Sequence, residues 1–542
     1  MSDVQSPVRI PLWAVLCGVA QQRPHAEALA AEDGRLTYRQ LVESADNVAR
    51  AMLALGLKHG DHIGLLRANS VSWAVHWYAA ASLGLVTVPL NTRFRTEELS
   101  YGLGHEDIRA LFCVDRFLGK IDFVGMLREI EPAIDSVLPG NVLPLLHNLI
   151  VDGEQIPAGA RSQGDFLSAG VAIDDAELEA ARNRVQADDT LLIQLTSGTT
   201  SYPKGVMLSH AAMLGVAKSV AGRIGVRADD RYFSPRPFYH VSGSTMSLLV
   251  ALVEGACLVT AQTFDPGQAL AIMAEERCTL TSGNDTMFLM MLADPGFDAS
   301  KLHLRGGWAA ASPHILRDVV ELMGATDICN AYGLSEAAPN LVVSATSEPL
   351  AQRIDGYMLP HAGISIEIRD PHTGATLPPG EIGEICAKGW SLMKGYYKLP
   401  EQTAQTLRSG WLHTGDLGEM GVDGRLRFIG RLKDMFRVGG ENVSPLEVEQ
   451  VLLKHPSVEL AQVVGVPDPR LGEVPAAYVT LRSGQHAETA ELIAFCKQCC
   501  ANFKVPRYLS VVEGFESIGM TGSSKVQKNR LREHAIKEFG LG

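Results

Sequence analysis

Four short apolar runs, HIGLLRA, LVTVPLN, RALFCVD and HNLIVDG, share residues 43–153 with helix-like stretches such as ESADNVARAMLALGL and SVSWAVHWYAAASLG. Short apolar runs bounded by turn residues suit strands buried on both faces, and their alternation with helices restricts the chain to layered α/β architectures. A second stretch of the same kind follows from about residue 190 to 330. Residues 362–430 change character. There ISIEIRD, EIGEICAKG and RLRFIG are strand candidates separated by the turns HTG, PPG and VDG, which predicts a small distorted β-barrel. From Arg431 onward PLEVEQVLLKHP reads as a helix and AYVTLRS as a strand of a compact unit. The Gly/Pro/Ser-rich stretch 154–170 reads as a loop, and no internal repeat or low-complexity segment is present. At 542 residues the chain is too long for one core, so at least two domains are expected.

Residues 195–206, LTSGTTSYPKGV, have the composition needed to hold a polyphosphate. Thr196, Ser197, Thr199, Thr200 and Ser201 offer hydroxyls, and Gly198 and Gly205 let the backbone turn and aim N–H groups inward. Lys204 adds a mobile positive charge. The preceding DDTLLIQL predicts a buried strand and the following MLSHAAMLGVAKSV a helix, so the loop is expected between strand end and helix N-terminus, where phosphates bind. The Walker pattern GxxxxGK[ST] is absent, and a polar surface loop has the same composition.

Composition excludes several classes. A net charge of −13 disfavours nucleic acid as the main partner and makes local cations such as Lys204, Arg431 and Lys525 more informative. Nine scattered cysteines do not form a secreted disulfide framework, and Cys496, Cys499 and Cys500 of CKQCC, on a helix begun near Glu488, have no second Cys/His pair to complete a zinc site. No apolar run reaches membrane-spanning length; STMSLLVALVEGACLVTA is broken by Glu254 and Gly255 and fits a buried helix and strand. IPLWAVLCGVA near the N-terminus lacks a basic leader and a cleavage site, and QQRPHAEALA reads as its amphipathic helical continuation. Cytoplasmic residence is expected, with peripheral membrane contact open. Large cytoplasmic enzymes are commonly dimers, and a homodimer is expected on that ground alone.

Three further segments carry chemistry: AYGLSEAAP (331–339), the pair GWLHTGDLG (410–418) and GRLKDMFRVGGENVSPLEVE (430–449), and MTGSSKVQKNRLRE (520–533). In this order, with the phosphate loop ahead of them, they resemble the adenylate-forming family of acyl-CoA synthetases, peptide-synthetase adenylation domains and beetle luciferases. The resemblance extends from LTYRQL near residue 36 to residue 533. It implies an α/β fold: a large N-terminal domain of stacked α/β sheets plus a distorted β-barrel, then a small mobile α+β C-terminal domain. The N-terminal AMP-binding domain is expected over 1–430, its barrel over about 362–430, and the catalytic-lysine domain over 431–542, with Lys433 at the hinge.

The reaction implied by the resemblance has two halves. A carboxylate attacks the α-phosphate of ATP, giving acyl-AMP and pyrophosphate; a thiol, here CoA, then takes the acyl group and AMP leaves. Both transition states build negative charge on oxygen, so cations and N–H donors matter more than a side-chain nucleophile. Glu336 is a hard oxygen ligand suited to Mg2+, although an acid at a helix start is also common. By resemblance Ser335 reaches the α-phosphate, and Tyr332 and Gly333 adjoin adenine. Asp416 can accept from both ribose hydroxyls, or terminate a turn. Arg431 matches a second ribose- or phosphate-contacting residue and Lys525 the adenylation lysine. Lys528 competes for that last role, and KVQKNRLR is also a plain basic helix face. Ala310 and Ala311 fall at the nucleotide, and Gly439 and Gly440 at the CoA tunnel or a plain turn. His240, Gly307, Trp308 and Ala338, with Asn284 as a weaker candidate, are expected around the acyl group, and His240 reads equally as a packed histidine.

Two positions depart from the family pattern, Ser201 in the phosphate loop and Ser524 before the lysine. The apolar, small segments PFYHVSGSTMSLL and YGLSEAAP favour a fatty or aryl acid over an amino acid. Two rival readings are an enzyme loading its acyl-adenylate onto a carrier protein and a nucleotide-binding protein without turnover.

Overall fold

The computed structural model describes residues 6–196, 202–439, 441–515, 517–519 and 526–541. The expected Ser197, Gly198, Thr199, Thr200, Ser201, Gly440, Ser524 and Lys525 therefore lie outside the described residues.

The apolar runs become strands His62–Leu66, Val86–Pro89, Ile108–Val114 and Asn148–Asp152, paired in parallel. Parallel pairing needs long crossovers, and the intervening helices supply them. Helix Tyr38–Ala54 opens on Thr37, whose side chain accepts from Gln40 N in a capping box; Val71–Ser82 opens on Ser70, which accepts from Trp73 N. Val71–Ser82 is buried continuously from Trp73 to Ser82, and His210–Arg223 is buried from His210 to Ala217. Helices apolar on every side belong between layers. One core takes side chains from both large sheets and from these helices, with Trp73, Trp77, Tyr232 and Trp308 among its largest members.

Among the described residues those two sheets have eight strands each. The first runs Val342–Val343, Asp327–Tyr332, Gly306–Ala310, Leu280–Asn284, Arg231–Phe233, Cys257–Val259, Glu27–Ala31 and Gly34–Thr37. Its six inner strands are parallel, so their carboxyl ends share one edge, where open α/β sheets place ligands. A six-stranded antiparallel sheet built on Ile382–Lys388, Trp411–Met420 and Leu426–Arg431 forms the expected barrel region. The remaining chain makes a five-stranded sheet with its own apolar core, from Phe436 to Ala535. The fold is thus α/β, with stacked sheets, a distorted barrel and a small α+β unit at the C-terminal end.

Four local expectations are corrected. The phosphate loop is followed by a strand, Lys204–Ser209, antiparallel to Thr190–Thr196, and the helix begins only at His210. Val206 and Leu208 are buried on one strand face, a period-two pattern that outweighs the helix formers around it. The helix N-terminus therefore caps the opposite end of the hairpin from the loop. Gly205 lies within that strand, where a Cβ would come within 2.6 Å of the Glu106 carboxylate, so its glycine serves packing rather than a turn. The helix Leu12–Gln22 stops before Arg23, and HAEALA contributes strand Glu27–Ala31. Within 154–170, Gln163–Ala169 is helical, with Ser162 accepting from Asp165 N at its start.

Helix Thr489–Cys499 buries Cys496, exposes Cys499 and ends at Cys500. Among the described residues the one convergent group of potential metal ligands is Glu384, Cys386 and His413, whose imidazole sits 2.8 Å from the Glu384 carboxylate. Burial pushes the Cys386 thiol up to about 12, away from the thiolate that binds metal. No helix among the described residues is long and apolar enough to cross a membrane.

Candidate active site

The site is assembled by two chains of contacts at the carboxyl edge of the first sheet. Tyr332 ends strand Asp327–Tyr332. Its ring is buried and stacks on Phe428 of the barrel at 4.9 Å between centroids, and its hydroxyl donates to Asp416 Oδ2 at 2.8 Å. Burial, then the Asp416 charge, raises the Tyr332 hydroxyl far above its ordinary pKa, so the phenol stays a donor and the carboxylate an acceptor. Asp416 pairs in register with Arg431 across the two barrel strands, and Arg431 Nε lies 3.6 Å from Asp416 Oδ1. A half-exposed guanidinium thus sits beside a buried carboxylate.

The second chain runs through Glu336. Ser335–Ala337 form a single 3-10 turn just beyond Tyr332, with Ser335 buried and Glu336 partly exposed. Tyr396 donates its hydroxyl to Glu336 Oε1 at 2.8 Å, and Lys204 Nζ stands 4.3 Å from the centre of the Tyr396 ring. Tyr396 is delivered by a two-residue edge strand that pairs with Val206 and Met207, next to the hairpin carrying Lys204. Thr196 closes that hairpin on the far side of the loop, its hydroxyl donating to Lys204 O at 3.3 Å. Burial and then Glu336 raise the Tyr396 hydroxyl pKa, which keeps this bond's direction fixed as well.

The remaining expected residues take varied positions. Gly333 is exposed, and a Cβ there would come within 2.1 Å of Pro339 O, so the close approach it permits is to its own chain. Ala310 is exposed at the carboxyl end of its strand; Ala311 follows, its carbonyl accepting from Asn330 at 3.1 Å. Gly307 (φ 131°) faces the neighbouring strand, where a Cβ would meet Thr281 O at 1.8 Å. Trp308 is buried, and its indole N–H is shared between the Tyr232 hydroxyl at 2.7 Å and Met246 O at 3.0 Å. Ala338 is fully buried with φ 57°, an unusual value for a residue with a Cβ. His240 caps the turn Val241–Gly243, its Nδ1 accepting from Ser242 N at 3.1 Å, which puts the neutral ring's proton on Nε2. Asn284 caps helix Asp285–Ala293.

In the C-terminal unit Lys433 is exposed on the turn Leu432–Asp434, and Gly439 has φ 59° with its N–H donating to Leu471 O. Lys528 is engaged inside that unit, its ammonium donating to Glu449 and, at 3.0 Å, to Val463 O. A cleft of about 270 Å³ lined by His59, His62, Asp189 and Lys394 lies on the second sheet and includes none of the residues of the two contact chains.

A model of the AMP-binding enzyme family matches residues 18–397, and one of the AMP-binding enzyme C-terminal domain matches residues 447–525. The chain belongs to the AMP-binding enzyme family. Among curated relatives, the putative acyl-CoA synthetase YngI of Bacillus subtilis is 36% identical over 518 residues, covering 94% of this chain and 93% of that protein. The mitochondrial medium-chain acyl-CoA ligase ACSF2 of Danio rerio is 32% identical, covering 97% and 88%. Among solved structures, the anthranilate CoA ligase AuaEII in complex with anthranoyl-AMP has a TM-score of 0.86 at 25% identity, covering 99% of both chains.

Within this AMP-binding enzyme, the sequence reading did not single out Tyr396 and Phe428, which the fold brings against Glu336 and Tyr332. Tyr396 lies 60 residues from Glu336 in sequence and is brought there only by strand pairing.

Proposed function

We propose that the protein is an AMP-forming acid–CoA ligase that activates a fatty or aryl acid as acyl-AMP and passes the acyl group to CoA. The observation that carries the reading is the pairing of Tyr332–Asp416–Arg431 with Glu336–Tyr396–Lys204 at one sheet edge. Asp416, oriented by Tyr332, accepts from the ribose hydroxyls, and the Tyr332–Phe428 stack supports the adenine side. Lys204 balances phosphate charge beside Thr196 and Ser335, while Arg431 serves the ribose or phosphate.

Glu336 fits a Mg2+ ligand. It is a partly exposed carboxylate with one oxygen fixed by Tyr396, and hard oxygen donors suit that ion. Bound there with the phosphates, the ion would offset their charge. Lys525 supplies the adenylation charge in this reading, supported by the commitment of its neighbour Lys528 to Glu449. The 1–430 and 431–542 division, with rotation at Lys433, is supported by the separate core of the C-terminal unit. Gly439 and Gly440 would then wall the CoA tunnel.

The test is product analysis with ATP and Mg2+ across short, medium, long-chain and aryl acids, with and without CoA. Acyl-CoA, AMP and pyrophosphate in equal amounts support the ligase. Acyl-adenylate that accumulates equally with CoA present points to a carrier protein, and silence across the panel to a binder without turnover.

A further inference from the structure

We propose that Arg236 is a specificity-determining residue, and that the acid activated by this ligase bears a second carboxylate that Arg236 receives. The inference rests on the ligase reading and narrows its substrate class.

Arg236 follows the carboxyl end of strand Arg231–Phe233 and precedes His240 by four residues. The residue is 8% exposed, and its guanidinium lies over the Trp308 ring, 4.6 Å from the centroid. Neither Nε nor Nη2 has a hydrogen-bond partner. These two nitrogens form one edge of the guanidinium, and their parallel N–H bonds match the two oxygens of a carboxylate. No ion pair among the described residues engages Arg236, and the nearest group acting on its charge is the Tyr232 phenol. Burial lowers its pKa only to about 10, so it is a cation at neutral pH.

Two other guanidiniums are each given three carbonyl acceptors by the chain. Arg353 donates to the carbonyls of Thr326, Ile328 and Glu348, and Arg223 to those of Val343, Leu359 and Pro360. Arg236 has no such arrangement, and a buried cation with two unmade bonds is costly to keep. An anion that enters and bonds that edge recovers the cost. Both nitrogens are covered by protein here, so the acid must displace neighbouring atoms to reach them.

The Tyr232 phenol that acts on Arg236 belongs to a run of buried polar groups. Ser234 Oγ lies 2.8 Å from Ser247 Oγ and 3.1 Å from Ser282 Oγ, and the Tyr232 hydroxyl meets the Trp308 indole. Ser244–Leu249, which carries Ser247, is wound as a π-helix, a form concentrated at functional sites. The serine and threonine hydroxyls of PFYHVSGSTMSLL and the arginine just before it are all on buried residues.

The experiment compares kcat/KM for pyrophosphate release with monocarboxylic and dicarboxylic acids of equal carbon number, aliphatic and aryl, in wild type, Arg236→Met and Arg236→Lys. The wild type should prefer the diacids by about tenfold or more. Arg236→Met should lower diacid kcat/KM by about a hundredfold, mainly through KM, with monoacid turnover kept or raised and the KM for ATP unchanged. Arg236→Lys should retain part of the diacid preference. A wild type that prefers monoacids at every length overturns the inference, as does a Met variant that loses both classes equally or raises the KM for ATP. Should the Met variant fail to fold, the wild-type ratio and the Lys variant still decide. Release from monoacids alone defeats only the role of Arg236; no release from any acid defeats the ligase reading, and the inference with it.

Discussion

Tyr332→Phe isolates the hydrogen bond that, in the ligase reading, orders the nucleotide side of the site. The substitution keeps the ring and its 4.9 Å stack on Phe428 and deletes only the hydroxyl that donates to Asp416 at 2.8 Å. A hydrogen bond to a charged partner is worth about 1.5–3 kcal/mol, most of it the cost of leaving a buried acceptor short of a donor. Asp416 retains Arg431 and other partners, so the lower end applies, about 1.5 kcal/mol. The carboxylate also loses the donor that aims it. In the ligase reading the KM for ATP should therefore rise about tenfold while kcat changes little, the signature of lost uniform binding. Urea unfolding measures the first quantity and pyrophosphate release at varied ATP the second. An unfolding free energy within about 0.5 kcal/mol of wild type, together with an unchanged KM for ATP, would refute the reasoning.

Tyr396→Phe should leave Lys204 over the ring but release Glu336, raising the Mg2+ concentration for half-maximal pyrophosphate release and lowering kcat about tenfold; an unchanged Mg2+ titration would contradict the role given to that bond. Gly307→Ala places a Cβ 1.8 Å from Thr281 O at a φ of 131°, and should cost about 3 kcal/mol or more in unfolding experiments; a variant as stable as wild type would show that the strands can part. Burial lowers His76 to about 3, His210 to about 4 and His361 to about 3, so the unfolded chain takes up protons first as pH falls. Stability should be intact above pH 6.5 and fall toward pH 3, with each histidine contributing a loss of about 2 kcal/mol by pH 5. Urea midpoints at pH 7.5 and pH 5 measure it, and a flat profile would mean that these rings are protonated in the fold.

The layered fold was legible because the runs from HIGLLRA to HNLIVDG have the composition of doubly buried strands and little else competes there. Where two periods overlapped, local reading failed. KGVMLSHAAMLGVAKSV holds a six-residue strand and then a helix, and only pairing with Thr190–Thr196 sets the boundary at Ser209. HAEALA has good helix formers, yet as Glu27–Ala31 it pairs with Cys257–Val259, far away in sequence. Tyr332, Glu336 and Asp416 stand out as candidates because a motif surrounds each of them, and the fold brings Tyr332 to Asp416. Tyr396 does not, because its contact with Glu336 arises from an edge-strand pairing to Val206 and Met207 that leaves no local mark. Gly307 and Gly205 also show how a glycine near a site can answer to strand packing instead.

Acid-dependent exchange of labelled pyrophosphate into ATP, measured without CoA, tests the central claim most directly. The account predicts exchange that requires both Mg2+ and the cognate acid and falls in Tyr332→Phe and Tyr396→Phe. Exchange indifferent to acid, or cleavage of ATP to ADP and phosphate in its place, would contradict it.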